Sequence, residues 1–452
     1  MVTMTVEETW AAPLADGPLD ATVTIPGSKS LSNRYLILAA LGSRPVRLTG
    51  LLRSRDTDLM IGALKALGVD CRVDPDDPTN VMVIPPSGGR FRGGARVDCG
   101  LAGTVMRFVP GLAMLADGPT HFDGDQQAYR RPMRPLLDGL TQLGAKIEYL
   151  GQEGFLPFVL TPPDRLVGRE VTIDSSASSQ FISGLLLLAA RADGTMTIVH
   201  SGQHLPSLPH IAMTVDDLRQ AGVQVQANPD LCRWSVEGRG SAGTQLPDRV
   251  QVEPDLSNAA PFLGAALIGG GQVSVPNWPE RTTQPGGLLP EYLKTMGAKV
   301  DMVPDGQGGA TCRVTGGEAI HGLGDFDLSP AGEIVPSIAA ILVFADGPSR
   351  LHGIGHLRGH ETNRLKALAT EISRIGGQAR ELDDGLAIEP VPVHSMHGAV
   401  METYADHRMA TFAAMIGLRV PGIRVRNIGT TAKTMPDFPG MWKRMLAGEG
   451  QG

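Results

Sequence analysis

A short helix-end signature that returns at a near-constant interval restricts the fold of this chain more than any other feature. Leu64-Lys65-Ala66-Leu67-Gly68-Val69 is echoed by Leu140-Thr141-Gln142-Leu143-Gly144-Ala145 and by Leu218-Arg219-Gln220-Ala221-Gly222-Val223. It returns as Leu293-Lys294-Thr295-Met296-Gly297-Ala298 and as Ile372-Ser373-Arg374-Ile375-Gly376-Gly377. The glycines are 76, 78, 75 and 79 residues apart, and a last helix around Trp442 to Ala447 meets Gly448 after a further 72. Each signature reads as a helix closed by a C′ glycine, which enters the left-handed region without steric cost, followed by a strand such as Lys146 to Tyr149. A period held along a whole chain means one supersecondary unit used repeatedly. Here that gives six units of mixed β and α structure.

A second helix shares the period. It is built from small and apolar residues and follows a polar turn: Ser32 to Leu41, Gly103 to Leu115, Ser178 to Ala190, Ser257 to Ile268, Val335 to Ala345, and Asp406 to Leu418. Helices that are apolar on every side belong in the interior. Short β-rich runs such as Ala21 to Ile25 and Gly194 to Val199 lie between them. Six units divide most simply into two lobes of three, with a boundary near the Gly-, Pro- and Ser-bearing stretch Arg239 to Pro254. The 57 Gly and 34 Pro, a fifth of 452 residues with no Gly-X-Y period, then belong to turns between short elements.

Composition narrows the function classes. A net charge of −7 with 4% aromatic residues argues against a nucleic-acid partner, which demands a basic surface and stacking rings. The apolar stretches Phe181 to Ala190 and Ile334 to Ala345 fall short of the ~18 residues that span a bilayer. Lys29 is the first basic residue, which fits neither a secretory signal nor a transit peptide. Cys71, Cys99, Cys232 and Cys312 lie far apart, as expected of reduced thiols in a cytoplasm. Two tempting patterns fail. Gly238-Arg239-Gly240-Ser241-Ala242-Gly243 has the GxGxxG spacing, but a Pro-containing run follows it where a dinucleotide site needs a helix. His352, His356 and His360 have helical spacing, but Gly353, Gly355 and Gly359 interrupt them, so no metal site is expected.

The chemistry collects at the starts of the buried helices, where unpaired backbone N–H groups favour anions. Pro26-Gly27-Ser28-Lys29-Ser30-Leu31-Ser32-Asn33-Arg34 supplies hydroxyls, a lysine and an arginine, without P-loop spacing. Leu101-Ala102-Gly103-Thr104-Val105-Met106-Arg107 is followed by Tyr129-Arg130-Arg131-Pro132-Met133-Arg134, and Ser175-Ser176-Ala177-Ser178-Ser179-Gln180 offers neutral donors. The later half carries Glu333, then His360-Glu361-Thr362-Asn363-Arg364, Asp406-His407-Arg408 and Thr431-Ala432-Lys433-Thr434. Each alone reads as capping or a surface pair. Together they describe a site for a multiply anionic ligand, with carboxylates that add proton transfer to binding.

In Pro-Gly-Ser-Lys-Ser-x-Ser-Asn-Arg at 26–34, Ala-Gly-Thr-x-Met-Arg at 102–107, Arg131-Pro132, Ser178-Ser179-Gln180-Phe181, Glu361-Thr362 with Arg364, Asp406-His407-Arg408-Met409-Ala410 and Ala432-Lys433-Thr434, the chain resembles the 5-enolpyruvylshikimate-3-phosphate synthases from about Ala21 to Trp442. The resemblance implies an α/β fold of two lobes, each of three βαβαββ units, an inside-out α/β barrel. One lobe is expected at 27–253 and the other from 1–26 with 254–452, with a double-crossover hinge near 24–28 and 240–256. It implies transfer of the enolpyruvyl group of phosphoenolpyruvate to the 5-hydroxyl of shikimate 3-phosphate through a tetrahedral intermediate, by a cytoplasmic monomer with no cofactor. By the same resemblance Lys29, Ser30, Arg34, Ser178, Ser179, Gln180, Ser207, Glu333, His356 and His360 meet shikimate 3-phosphate. Lys29, Gly103, Arg131, Gln180, Arg364, Arg408 and Lys433 meet phosphoenolpyruvate. Glu333 takes the hydroxyl proton, Glu361 and Lys29 handle the methylene proton, and His360 stands among the catalytic residues.

Some residues depart from the family pattern. Glu333 stands where an aspartate is usual, His356 and His360 replace Asn and Lys, and His210 replaces a Tyr. Leu101 and Phe108 stand for Asn and Pro. His360 turns a fixed cation into one that titrates near pH ~6.5. The sister transferase acting on UDP-N-acetylglucosamine usually carries a catalytic cysteine in the loop matching Gly124 to Arg131, and this loop has none; the other alternative is a non-catalytic anion-binding repeat protein, against which Lys29, Glu333, Glu361 and Lys433 all stand in place.

Overall fold

The computed structural model describes residues 9–306, 309–359 and 361–449. The glycines of the repeat end its helices: Gly68, Gly144, Gly222, Gly297, Gly376 and Gly448 all have φ between +69° and +99°, and a strand follows each of the first five. A Cβ at any of them costs ~1–2 kcal/mol of left-handed strain, which explains why this one residue type recurs with the period.

Twelve α-helices are described, two per repeat. They are α1 (Lys29–Leu41) and α2 (Arg55–Ala66), α3 (Gly103–Ala113) and α4 (Arg134–Gln142), and α5 (Gln180–Ala189) and α6 (Leu208–Gln220). The series continues with α7 (Leu256–Gly269) and α8 (Leu289–Thr295), α9 (Val335–Leu342) and α10 (Arg364–Arg374), and α11 (His407–Gly417) and α12 (Phe438–Leu446). The first member of each pair is the small-and-apolar helix, and it is buried on nearly every side. Each fully buried aliphatic side chain, such as Leu185 to Leu188 of α5, contributes about 1.5–3 kcal/mol. The second member is amphipathic.

The strands form one sheet per repeat with one topology. Arg96–Asp98 pairs parallel with Thr120–Asp123, which pairs antiparallel with Phe158–Thr161, which takes Lys146–Tyr149 as an antiparallel edge. Four further four-stranded sheets repeat this order of one parallel and two antiparallel pairings. The unit is therefore strand, buried helix, parallel strand, amphipathic helix, hairpin: βαβαββ. A sixth, three-stranded sheet pairs Val400–Met401 parallel with Arg424–Arg426 and replaces the hairpin with Thr9–Ala11.

By internal contacts the chain forms two units, Gly27–Val252 and the segment up to Pro26 joined with Glu253 onward. Each has its own hydrophobic core. In the first, α3 packs on α1 and α5, and Gly184 lets α5 approach so closely that a β-carbon there would lie 2.2 Å from the Arg107 carbonyl. In the second, α7, α9 and α11 pack on one another. Among the described residues no helix is long and apolar enough to cross a membrane, and all four cysteines are unbridged thiols.

The GxGxxG run ends a strand, Arg233–Arg239, and passes into a three-residue turn, so no helix N-terminus faces it. His352 ends a strand and His356 sits in the turn Gly355–Gly359, which breaks the helical spacing. His360 lies outside the described residues.

Candidate functional site

In the unit 27–252, Gly27 brings the chain so close to its neighbour that a β-carbon would lie 2.0 Å from the Gly50 carbonyl oxygen. Ser28 then caps α1, accepting from the Leu31 N–H at 3.4 Å. Lys29 opens the helix with its Nζ 3.8 Å from Asp56. Arg34, expected to meet the ligand, is 1% exposed. Its guanidinium donates to the Ser30 carbonyl (3.0 Å), the His210 carbonyl (3.0 Å) and the Thr214 hydroxyl (2.8 Å), and it lies over the Phe108 ring. Ser207, at φ +54°, precedes α6, and its carbonyl accepts from the His210 N–H. Arg34 thus ties Ser30 to the start of α6, and Phe108 supplies an aromatic face where the family pattern has proline.

Gly103 opens α3 without a capping side chain. A β-carbon on it would lie 3.0 Å from Gln180 Oε1, 3.1 Å from Arg131 Nη2 and 3.4 Å from Arg107 Nη1. One point therefore collects a helix N-terminus, an amide and two guanidiniums, and the absence of a side chain keeps it open. Gln180 begins α5 behind Ser179, with its N–H donated to the Ser178 hydroxyl at 3.3 Å. Arg131 donates to the Leu101 carbonyl at 2.9 Å. The loop that carries it is held by Arg55, which pairs with both oxygens of Asp125 at 2.7 Å, and by Tyr129, which donates to Asp123 at 2.6 Å.

Arg107 was absent from the sequence-derived ligand set, although its position four residues after Gly103 puts it on the same helix face. It is buried, lies over the Phe181 ring, and donates to the Pro132 carbonyl. It makes no ion pair among the described residues, and its Nε has no hydrogen-bond partner. Burial first, and the neighbouring Arg131 charge second, push its pKa down to about 9. Positive charge is in excess here. A cavity of about 660 Å³ along α2, reaching Arg96 and Asp98, contains none of this cluster. Its lining mixes both signs, so convergent chemistry marks the site better than volume does.

In the other unit the charges alternate. Glu333 lies in the turn Ser329–Ile334 ahead of α9 and accepts from Arg408 Nη2 at 2.7 Å and from the Ser257 hydroxyl at 3.5 Å. Asp406 caps α11 by accepting from the Arg408 N–H (2.9 Å) and also accepts from Arg364 Nε (2.7 Å). Arg364 donates to Glu361 Oε2 at 3.0 Å, and Lys433 donates to Glu361 Oε1 at 2.5 Å. Burial alone would push the Arg364 guanidinium down, but Asp406 and Glu361 outweigh it and hold the pKa above its ordinary value. Thr434 and Asn258 bond to each other and fix the Lys433 turn to α7. His356 lies against Gly332, where a β-carbon would be 2.6 Å from its Nε2, one residue from Glu333. The network thus gathers Glu333, Glu361, Arg364, Arg408 and Lys433, and adds Asp406 and Ser257, which the sequence reading had not placed among the site residues.

Residues 14–442 match the model of the EPSP synthase (3-phosphoshikimate 1-carboxyvinyltransferase) family. A 3-phosphoshikimate 1-carboxyvinyltransferase of Bifidobacterium longum is 65% identical, over 97% of this chain and 98% of its own. One from Kocuria rhizophila is 48% identical over 98% of both. A solved EPSP synthase from Acinetobacter baumannii superimposes with a TM-score of 0.82 at 25% identity, covering 97% of this chain and 98% of that one. The chain belongs to the EPSP synthase family.

Proposed function

We propose that this chain transfers the enolpyruvyl group of phosphoenolpyruvate to the 5-hydroxyl of shikimate 3-phosphate, releasing phosphate. The observation that carries the reading is the alternation Glu333–Arg408, Asp406–Arg364 and Glu361–Lys433, three carboxylate–cation pairs in one connected network. Cations grip the phosphate and carboxylate of a small dianionic substrate, and guanidiniums do so bidentately. Carboxylates among them move protons.

Glu333 takes the 5-hydroxyl proton while the oxygen bonds to C2 of phosphoenolpyruvate. The double-bond electrons take a proton at the methylene carbon, a step assigned to Glu361 and Lys29. The tetrahedral adduct then loses a methyl proton and breaks its C2–O bond to phosphate, which restores the double bond. The residues assigned to phosphoenolpyruvate are Gly103, Arg131, Gln180, Arg364, Arg408 and Lys433, with Arg107 added. Lys29, Ser30, Ser178, Ser179, Gln180, Ser207, Glu333 and His356 meet shikimate 3-phosphate. Arg34 serves from below, through the backbone of Ser30 and His210.

The test is phosphate release from phosphoenolpyruvate with shikimate 3-phosphate or UDP-N-acetylglucosamine as acceptor. Release with the first alone is expected, and release with the second alone would transfer the chain to the sister reaction. The same reading places the enzyme in the cytoplasm as a monomer, with a sedimentation mass near 47.7 kDa.

A further inference from the structure

Helix α10 grips the segment 402–408 at two points on one face. Arg364, its first residue, bonds Asp406. Glu371, two turns later, is fully buried. One of its oxygens accepts from the Tyr404 hydroxyl at 2.7 Å, and the other accepts from the Glu402 N–H at 3.2 Å and from Arg374 Nε at 3.0 Å. Between these anchors Tyr404 and Ala405 have φ of +53° and +57°, two successive left-handed residues of which neither is glycine. Such a conformation persists only where its surroundings over-determine it. The turn is closed by the Asp406 N–H bonding the Thr403 carbonyl at 2.8 Å, and the next side chain is the Asp406 carboxylate, which orients Arg364 and caps the helix carrying Arg408. Burial and the Glu371 carboxylate push the Tyr404 hydroxyl up to about 12, so it remains a donor at neutral pH.

We infer that Glu371 and Tyr404 are positioning residues of the transfer reaction: they hold the left-handed turn at 404–405 so that Asp406 sets Arg364 and Arg408 for phosphoenolpyruvate. The inference rests on the enolpyruvyl-transfer reading and adds two residues that touch neither substrate in it. The experiment is kcat and both KM values for wild type and Tyr404→Phe, which removes a single oxygen. The KM for phosphoenolpyruvate should rise at least fivefold while that for shikimate 3-phosphate stays within twofold. The ratio of the two KM values is independent of the folded fraction, so a purely structural role leaves it at the wild-type value, and that result overturns the inference. Should Tyr404→Phe not fold, Glu371→Gln takes its place. It keeps the volume and one acceptor oxygen but removes the carboxylate that receives the Tyr404 hydroxyl, the Glu402 N–H and Arg374; at least a threefold selective rise in the same KM is expected, and an unchanged ratio again refutes the positioning role. A wild type that transfers nothing to shikimate 3-phosphate sinks the reaction assignment and this inference with it, whereas an active wild type with an indifferent variant sinks the inference alone.

Discussion

The starts of α3 and α5 and the starts of α9 and α11 occupy the same places in the repeat, yet they do different electrostatic work. At the first pair, Gly103, Ser179 and Gln180 are neutral, and the charges nearby are the guanidiniums of Arg107 and Arg131. At the second pair, Glu333 and Asp406 stand at or beside the helix start, and the cations Arg408 and Arg364 are bonded to them. One architecture thus yields a cluster whose positive charge is in excess and a network whose charges are compensated. The difference follows from single residues at helix starts, since each of these units presents a buried helix at the same place in its order.

The sharpest way to break this contrast is to remove proton handling and keep shape. Glu333→Gln keeps an acceptor for Arg408 and loses the base, so kcat should fall by about 10²- to 10⁴-fold, the scale of general-base catalysis. Rapid-quench kinetics should show the deficit in formation of the tetrahedral adduct. A loss confined to KM would reassign Glu333 from base to ligand. Lys433→Ala comes next. It takes from Glu361 the ammonium bonded to one of its oxygens while Arg364 stays on the other, and kcat/KM for phosphoenolpyruvate should drop by about 2 to 5 kcal/mol, as when one member of a desolvated charge pair is deleted. An effect below tenfold would make Lys433 a surface residue.

How much of this was readable in the chain depends on distance along it. The helix-end glycines were legible because left-handed backbone has a compositional signature, and the buried helices because they are apolar all round. The sheet order was not, since alternation shows that a run is a strand but does not identify its partner. Site residues were legible as types at helix starts. Their pairing was not: Arg364 meets Asp406 across 42 residues and Arg408 meets Glu333 across 75. Arg34 entered the ligand set through the family resemblance, and nothing in its local sequence shows the packing against Phe108 and α6 that buries it. The Glu371–Tyr404 clamp left no trace, because a left-handed Tyr-Ala pair violates the residue preferences that make such turns recognisable.

The excess charge in the first region gives a prediction of intermediate size and opposite signs. Arg107→Met fills the same space without a charge. With its folded pKa near 9 and an ordinary value of 12.5, Arg107 costs stability below pH 9. Between those values the unfolded chain binds more protons, so the wild type regains stability as pH rises. Arg107→Met should therefore stabilise the ligand-free protein by about 1 to 4 kcal/mol at pH 7, with the gain shrinking above pH 9, while affinity for phosphoenolpyruvate falls. Calorimetric melts across pH and equilibrium titration measure the two. A variant that is both less stable and equally tight would show that Arg107 is a structural residue.

The smallest expected effect tests the same region by volume. Gly103 sits in ordinary helical backbone, so Gly103→Ala gains up to about 1 kcal/mol of helix propensity and should melt no lower than the wild type. The added carbon meets Gln180 Oε1, Arg131 Nη2 and Arg107 Nη1 at 3.0 to 3.4 Å. These are ends of long side chains that can shift by tenths of an ångström, so folding survives. They are also the groups assigned to phosphoenolpyruvate, and a shift there should raise its KM by about three- to tenfold, on the order of 1 kcal/mol, with kcat nearly unchanged. If the three groups move without cost to phosphoenolpyruvate, the first region is not its receptor, and the contrast between the two regions must rest on the carboxylate network alone.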